Sequence, residues 1–190
     1  DGKWELLRAM KEAGCYKIAW GIESTNDEAL KRMNKGVNDD ILYMEQTLRV
    51  LEKSMEEGII NQGYYIVGFP WETEESILRD GERLRHIPVH HITIGIFTPI
   101  PLSELYTDML KEGYIFDSNL ERHDRNHLIF NHIGISEDGL KKAQQKIHDD
   151  FYESREYLER VSDLCRKDLR LVKSFNDYFG FLGKNVMVEV

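Results

Sequence analysis

The fold is decided by residues 61–73, which read NQGYYIVGFPWET. The first part of this stretch is apolar and contains tyrosine and valine, a composition that predicts a strand. Gly68 and Pro70 then turn the backbone abruptly, because glycine permits a close approach and proline fixes its φ angle. Thr73 can cap a following helix that has two glutamates in its first turn. The stretch therefore predicts a strand, a tight turn and a helix, with a binding site at the strand's carboxyl end.

Two further strand patterns flank this unit. Residues 17–22 form a short apolar run between Gly14 and a polar segment, and residues 91–98 form another. Helical spacing separates the three runs. Such alternation with short connections is typical of parallel strands with helices outside them. The chain is therefore predicted to be an α/β protein, with either an open sheet or a barrel.

Capping signals and glycines predict where the intervening helices begin and end. Thr25 and Glu28 form a capping box for a short helix that Gly36 would end. A longer helix is predicted to start at Asn38 and to stop at Gly58. Its apolar residues alternate steps of three and four, so they should share a core-facing side. These residues are Ile41, Met44, Leu48, Leu51 and Met55.

The helix after Thr73 carries Gly81 on the same face as Ile77 and Leu84. This predicts a close approach of that helix to the sheet, because glycine has no side chain to hold the two apart. A further helix is predicted for residues 103–112.

The pattern changes after residue 112. Residues 113–131 lack a period and are predicted to be irregular, with one short strand at 128–130. From Ser136 the helical spacing returns and predicts one long helix to Val161 that bends or restarts near Leu169. Residues beyond 180 alternate weakly, which leaves a terminal strand or disorder open.

The length of 190 residues allows one core, or one core with a helical appendage, and the change of pattern after residue 112 favours the second. We therefore assign residues 1–112 to the units of alternating strand and helix, and residues 113–190 to a mostly helical appendage. The sequence begins directly with a helical pattern, so we expect it to be a piece of a longer protein.

The composition disfavours anionic partners. The chain has 25 lysines and arginines against 34 aspartates and glutamates, a formal net charge of −9. Such a charge repels nucleic acids and anionic membranes, and no basic patch offsets it. No apolar run is long enough to span a membrane. Cys15 and Cys165 lie far apart without a CxxC neighbour, so we expect buried free thiols in a reducing cytoplasm.

Polar residues follow each predicted strand. Glu23 and Ser24 follow the first, residues 68–72 the second, and Thr98 and Pro99 the third. Because the ends of parallel strands gather on one side, these groups should converge on a common pocket. This favours an enzyme or a small-molecule site.

The order and spacing of several motifs over residues 4–112 resemble the C-terminal half of a radical S-adenosylmethionine enzyme. The likeness is greatest to the branch with the cobalamin-dependent members, the methylthiotransferases and the oxygen-independent coproporphyrinogen oxidase. The motifs are Gly14-Cys15, Gly21-Ile22-Glu23-Ser24, Met33-Asn34-Lys35-Gly36, Gly63 with Ile66-Val67-Gly68-Phe69-Pro70-Trp71-Glu72-Thr73, Pro99-Ile100-Pro101 and Leu105-Tyr106.

The resemblance implies the fold and the site. Residues 1–112 would be a partial barrel, the second half of a three-quarter (β/α) barrel, followed by the helical appendage. Glu23, with Ser24 beside it, would bind the ribose hydroxyls of S-adenosylmethionine, and Lys35 would meet the methionine carboxylate. Both assignments agree with the donors and acceptors of these groups. The adenine and its surroundings would be contacted by Ile66, Gly68, Phe69, Glu72, Phe97 and Pro99.

The sequence also departs from the family. The three-cysteine loop that holds the [4Fe-4S] cluster is absent, and Cys15 and Cys165 cannot replace it. We therefore expect the N-terminal barrel half and the cluster to belong to the parent protein, and the chain alone to be inactive. In the parent, the family's reaction is reductive cleavage of S-adenosylmethionine to a 5′-deoxyadenosyl radical that takes hydrogen from a small-molecule substrate. A cobalamin-binding domain in the parent is left open.

Other interpretations of the same residues remain open. The half barrel could be a non-catalytic scaffold, or an unrelated βα-barrel enzyme that uses Glu23 and Glu72 as acid and base. Taken singly, Glu23 and Lys35 are also typical of residues at helix ends. The phenylalanines are also typical of a hydrophobic core. His123 and His127 have the spacing of a metal pair but lack a third ligand. The first strand would lack an outer neighbour, which predicts self-association through that edge.

Overall fold

The sheet consists of three parallel strands in consecutive order. The computed structural model describes residues 2–35, 43–184 and 187–188. Strand β1 is Lys17–Glu23, β2 is Ile60–Val67 and β3 is His91–Ile96, and β2 lies between the other two. The predicted α/β class and the three parallel strands are therefore confirmed. The sheet is open in the described part of the chain, and its closure into a barrel stays a prediction.

Helices connect the strands and follow them. Connections of this length with a helix are what parallel strands require. Two short 3₁₀ turns occur at Arg83–His86 and Leu120–Arg122. The helices are α1 Gly2–Glu12, α2 Asp27–Arg32, α3 Tyr43–Glu56, α4 Glu74–Glu82, α5 Glu104–Lys111, α6 Glu137–Tyr152, α7 Arg155–Lys167 and α8 Arg170–Phe181.

The two faces of the sheet differ in exposure. Successive side chains of a strand point to opposite faces. One face is buried against helices and carries the apolar residues of β2 and β3. The other is half-buried or exposed along all three strands, apart from Ile60 at the amino end of β2, which is buried. We call it the open face; its members are Ala19, Gly21, Gln62, Tyr64, Ile66, Thr93 and Gly95.

The outer edge of β3 is closed by the C-terminal half of the chain. The backbone N–H of Ile92 donates to the Tyr152 hydroxyl at 3.0 Å. The N–H of Ile96 donates to the carbonyl of Arg125 at 2.7 Å. The side-chain amide of Gln144 donates to the carbonyl of Ile94. These bonds satisfy backbone groups that a fourth strand would otherwise pair.

The outer edge of β1 has no strand beside it among the described residues. The carbonyl of Tyr16 accepts from the N–H of Ile60, so the groups of Ala19 and Gly21 point away from β2. At this edge the carbonyl of Gly21 accepts a hydrogen bond from the Tyr43 hydroxyl at 3.4 Å. Within the described part of the chain, the β1 side is therefore the edge at which the sheet can be extended.

The cap of α2 differs from the prediction. Asn26 caps this helix, accepting from the N–H groups of Glu28 and Ala29. Thr25 instead donates to the carbonyl of Asp80 at 2.6 Å. The predicted capping box was wrong because this tertiary bond takes the threonine hydroxyl. The predicted helix end at Gly36 and the start at Asn38, with Ile41, lie outside the described residues.

The glycine of α4 packs closely, but not on the sheet. A Cβ on Gly81 would lie 2.5 Å from Cγ1 of Ile147 in α6. The expected close approach therefore exists between two helices, and its predicted partner was wrong. Thr73 caps α4 and forms a reciprocal capping box with Ser76.

The predicted long helix to Val161 was wrong, because the chain forms two helices there, α6 and α7. The predicted restart near Leu169 is confirmed by α8, which begins at Arg170. Ser154 caps α7 by accepting from the N–H of Tyr157, which separates α7 from α6. Periodicity could not show this break, because both helices bury aromatic residues of one common core. The strand expected at 128–130 is a single bridge between Ile115 and Phe130. The division of the chain at residue 112 stays a prediction.

Candidate functional site

The carboxyl ends of all three strands lie at one edge of the sheet. This follows from the parallel register, in which Glu23 is opposite Tyr65 and Val67 is opposite Ile96. The turn after Val67 therefore stands beside the end of β1. The strand ends therefore gather at one edge as predicted, while a common pocket for their polar groups stays a prediction.

Glu23 ends β1 in an unusual conformation. The register of β1 and β2 shifts between Gly21 and Glu23, and Glu23 has a φ angle of 64°. A non-glycine residue in this left-handed region is uncommon and often marks a functional position. Its carboxylate lies over Gly21, where a Cβ would be 2.5 Å from Glu23 Oε1. Gly21 is therefore required for the carboxylate to reach the open face.

Lys35 meets Glu23 on the open face. Its Nζ donates to Glu23 Oε1 at 2.9 Å and lies 3.2 Å from the position of a Cβ on Gly21. The two side chains are 34% and 20% exposed, so solvent and a ligand can reach them. The structure brings together two groups that the sequence assigned to different parts of one ligand. Partly exposed ion pairs contribute at most about 1 kcal/mol, so each partner is available to a ligand.

Ser24 follows Glu23 in the chain but has a different contact. It is buried, and its hydroxyl accepts from the N–H of Asn26 at 3.1 Å. Its contact supports the turn between β1 and α2. Its predicted place beside a ribose stays a prediction.

Glu72 holds the turn at the end of β2. Its Oε2 accepts from the N–H of Gly68 at 2.7 Å and of Phe69 at 2.9 Å. Burial raises the pKa of this carboxyl to about 7 and outweighs these two bonds, which lower it. Asp80 raises the pKa further. The two amides that could bind an anionic ligand are therefore occupied by the protein's own carboxylate.

Residues 132–140 pack against the same turn and form a hydrogen bond to it. His132 Nδ1 accepts from the N–H of Gly134 at 3.0 Å, so Nε2 carries the proton and donates to the carbonyl of Phe69 at 2.8 Å. A Cβ on Gly134 would lie 2.6 Å from the carbonyl of Glu72, and one on Gly68 would lie 2.9 Å from Leu140. Sequence reasoning missed these residues because their spacing carries no local motif.

The apolar residues assigned to the adenine divide into two groups. Phe69, Phe97 and Pro99 are buried, and the rings of Phe69 and Phe97 lie 4.8 Å apart. Ile66 lies half-buried on the open face. Trp71 stacks on Phe69 at 5.0 Å and is 36% exposed. Within this set, a ligand on the open face would contact Ile66 directly.

The other polar candidates lie apart from this pair. His127 Nδ1 lies 2.9 Å from an Asp124 carboxylate oxygen. The ring nitrogens of His123 are buried and have no hydrogen-bond partner among the residues that the structure describes. The described residues contain no group of three potential metal ligands. Both cysteines are free thiols, Cys165 buried and Cys15 half-buried. Of the described helices, none is long and apolar enough to cross a bilayer.

Comparison with known proteins points to group transfer. An uncharacterized methyltransferase of Pyrococcus horikoshii is 22% identical over 78% of this chain and 31% of its own length. The bacteriochlorophyllide d C-12(1)-methyltransferase of Chlorobaculum tepidum is 24% identical over 84% of this chain and 34% of its own length. A Methanocaldococcus jannaschii protein provisionally named a methylthiotransferase is 34% identical over 53% of this chain and 21% of its own length.

These relatives are all named as enzymes that transfer methyl or methylthio groups. The chain spans between 21% and 34% of their lengths. No protein-family model matches it.

Proposed function

We propose that this chain forms the nucleoside-binding side of a radical S-adenosylmethionine enzyme that transfers methyl or methylthio groups. The Glu23–Lys35 pair over Gly21 is the observation that carries the proposal. The names of the relatives support the type of reaction.

The chemistry of the pair suits S-adenosylmethionine. A carboxylate accepts hydrogen bonds from two neighbouring hydroxyls, and an ammonium pairs with a carboxylate. On binding, Glu23 would turn its oxygens to the ribose and Lys35 would exchange Glu23 for the methionine carboxylate. Ile66 offers an apolar contact on the same face for the adenine.

The cluster that the family uses does not fit this chain. A [4Fe-4S] cluster needs thiolates from a short loop, whereas Cys15 follows α1 and Cys165 is buried in α7. We place the cluster ligands, and any cobalamin site, in the part of the parent enzyme that these 190 residues do not cover. In this proposal the residues of the chain bind and orient the nucleoside.

The alternative acid–base enzyme has one observation in its favour. A pKa of about 7 is suitable for proton transfer by Glu72. However, Glu72 is 8% exposed and holds its own turn, while Glu23 is paired with Lys35. The nucleoside-binding role therefore uses the observed positions of the side chains better.

Calorimetric titration with S-adenosylmethionine tests the proposal. Wild-type chain should bind, and Glu23→Gln should bind about 10–100-fold more weakly, since a hydrogen bond to a charged group contributes about 1.5–3 kcal/mol. Glu45→Gln is the matched control, because Glu45 forms an exposed ion pair with Arg49 on α3. Equal binding by the Glu23 and Glu45 variants, or no binding by wild type, would contradict the proposal and favour a scaffold.

A further inference from the structure

Arg125 reaches over the open face from the opposite side to Glu23. Its carbonyl accepts from the N–H of Ile96, which fixes its backbone to the outer edge of β3. Its Cβ and Cδ lie 3.3 and 3.6 Å from the position of a Cβ on Gly95. Its φ angle is 67°, in the left-handed region. The side chain therefore crosses the edge of the sheet and occupies the space that Gly95 leaves.

Among residues 2–35, 43–184 and 187–188, the guanidinium of Arg125 has no hydrogen-bond or ion-pair partner. Every other arginine in the described chain has an ion-pair, hydrogen-bond or aromatic partner. The adjacent carboxylate of Asp124 is held instead by His127 and by the N–H of Asn126, each at 2.9 Å. Arg125 itself is exposed, so a ligand can reach its guanidinium.

The neighbours of Arg125 form a polar floor. Gly95 is opposite Ile66 in the register, and one pair earlier Thr93 is opposite Tyr64. The Thr93 hydroxyl accepts from the side-chain amide of Gln62 at 3.3 Å. Gly21 lies two strands away, about 10 Å, because neighbouring strands are about 4.8 Å apart. A ligand between Arg125 and the Glu23–Lys35 pair would span the open face.

We propose that Arg125 binds an oxyanion of the substrate, so that the substrate is a small molecule with a carboxylate or phosphate group. The inference rests on the proposed function and names the substrate class of that site. The planar guanidinium presents two parallel N–H donors to either kind of oxyanion. With nucleoside held at β1, the substrate's anionic group is held at β3.

Amide chemical shifts of the full chain test the oxyanion site. Inorganic phosphate and benzoate are titrated separately at constant ionic strength. At least one should shift the amides of Gly95, Ile96 and Arg125 saturably, and the ligand that does so identifies the oxyanion. Arg125→Gln should weaken this binding about fivefold or more. Arg125→Lys should give an intermediate affinity, because lysine keeps the charge but lacks the two parallel N–H donors of the guanidinium.

The control is Arg155→Gln, which removes one guanidinium from an exposed helix position. It should leave the affinity unchanged. Shifts that do not saturate, or that persist unaltered in Arg125→Gln, would overturn the oxyanion site.

A parallel titration with S-adenosylmethionine separates this inference from the proposed function. Arg125→Gln should change its affinity less than about twofold, if Arg125 serves the substrate. A loss comparable to that of Glu23→Gln would assign Arg125 to the methionine carboxylate and overturn the inference while supporting the proposed function. Saturable phosphate binding without S-adenosylmethionine binding would overturn the proposed function and support the oxyanion site.

Discussion

Replacing Tyr152 with phenylalanine tests whether α6 closes the outer edge of β3. Tyr152 is fully buried, and its hydroxyl accepts from the N–H of Ile92 at 3.0 Å and lies 3.1 Å from the Tyr178 hydroxyl. The substitution keeps the ring, so it opens no large cavity. It leaves the Ile92 N–H buried without an acceptor, which costs about 1–3 kcal/mol. We expect the free energy of unfolding to fall by that amount.

The measurement is equilibrium unfolding in urea, with Tyr16→Phe as the control. Tyr16 is 71% exposed, so its variant should stay within about 0.5 kcal/mol of wild type. Hydrogen exchange adds a local readout, since the amide of Ile92 should exchange faster in Tyr152→Phe than its neighbours do. Equal stability of the two variants, with unchanged exchange at Ile92, would refute the closed edge. The β3 side would then be free to pair with another strand.

Three more predictions follow from the described contacts. Burial raises the pKa of Glu72 from its ordinary value of 4.5 to about 7, so the folded state holds this proton more tightly than the unfolded chain does. Stability should therefore fall as the pH rises from about 4.5 to about 7, by up to about 3 kcal/mol. Urea unfolding across this range should show no such loss of stability in Glu72→Gln. Burial lowers the pKa values of His90 and His91 to about 3 and about 4, which raises stability with pH, but equally in both proteins. A stability difference between the two proteins that is constant with pH would contradict the prediction. Gly81→Ala should destabilise the chain by about 1–3 kcal/mol through overlap with Ile147. The double variant with Ile147→Ala should lose less stability than the sum of the two single variants. If thermal unfolding shows that the two losses simply add, the contact is not supported. We also expect the chain to self-associate through the free edge of β1, and Ala19→Pro, which removes an outward N–H, to reduce this in light scattering; a wild-type monomer at high concentration would count against it.

The strands and their order could be predicted from local pattern. Short apolar runs with polar ends define β1, β2 and β3, and the connections between them leave only parallel pairing. The errors occurred where tertiary contacts override local signals. Thr25 bonds to Asp80 rather than capping α2, and Gly81 packs on a helix that comes much later in the chain.

The candidate site was predicted in part. Glu23 and Lys35 were found by resemblance, but their direct pairing depends on the left-handed backbone of Glu23 and on the space above Gly21. Arg125 and His132 reach the strand ends from segments without a regular pattern. No spacing in the sequence relates them to the strands that they meet, so only the structure could place them.

The most direct test of the central claim is to map S-adenosylmethionine binding by amide chemical shifts. The claim is that the nucleoside lies on the open face at the carboxyl ends of the strands. We predict saturable shifts at Gly21, Glu23, Lys35 and Ile66. Shifts confined to the amino ends of the strands, around Lys17, or to the helices behind the sheet would contradict it.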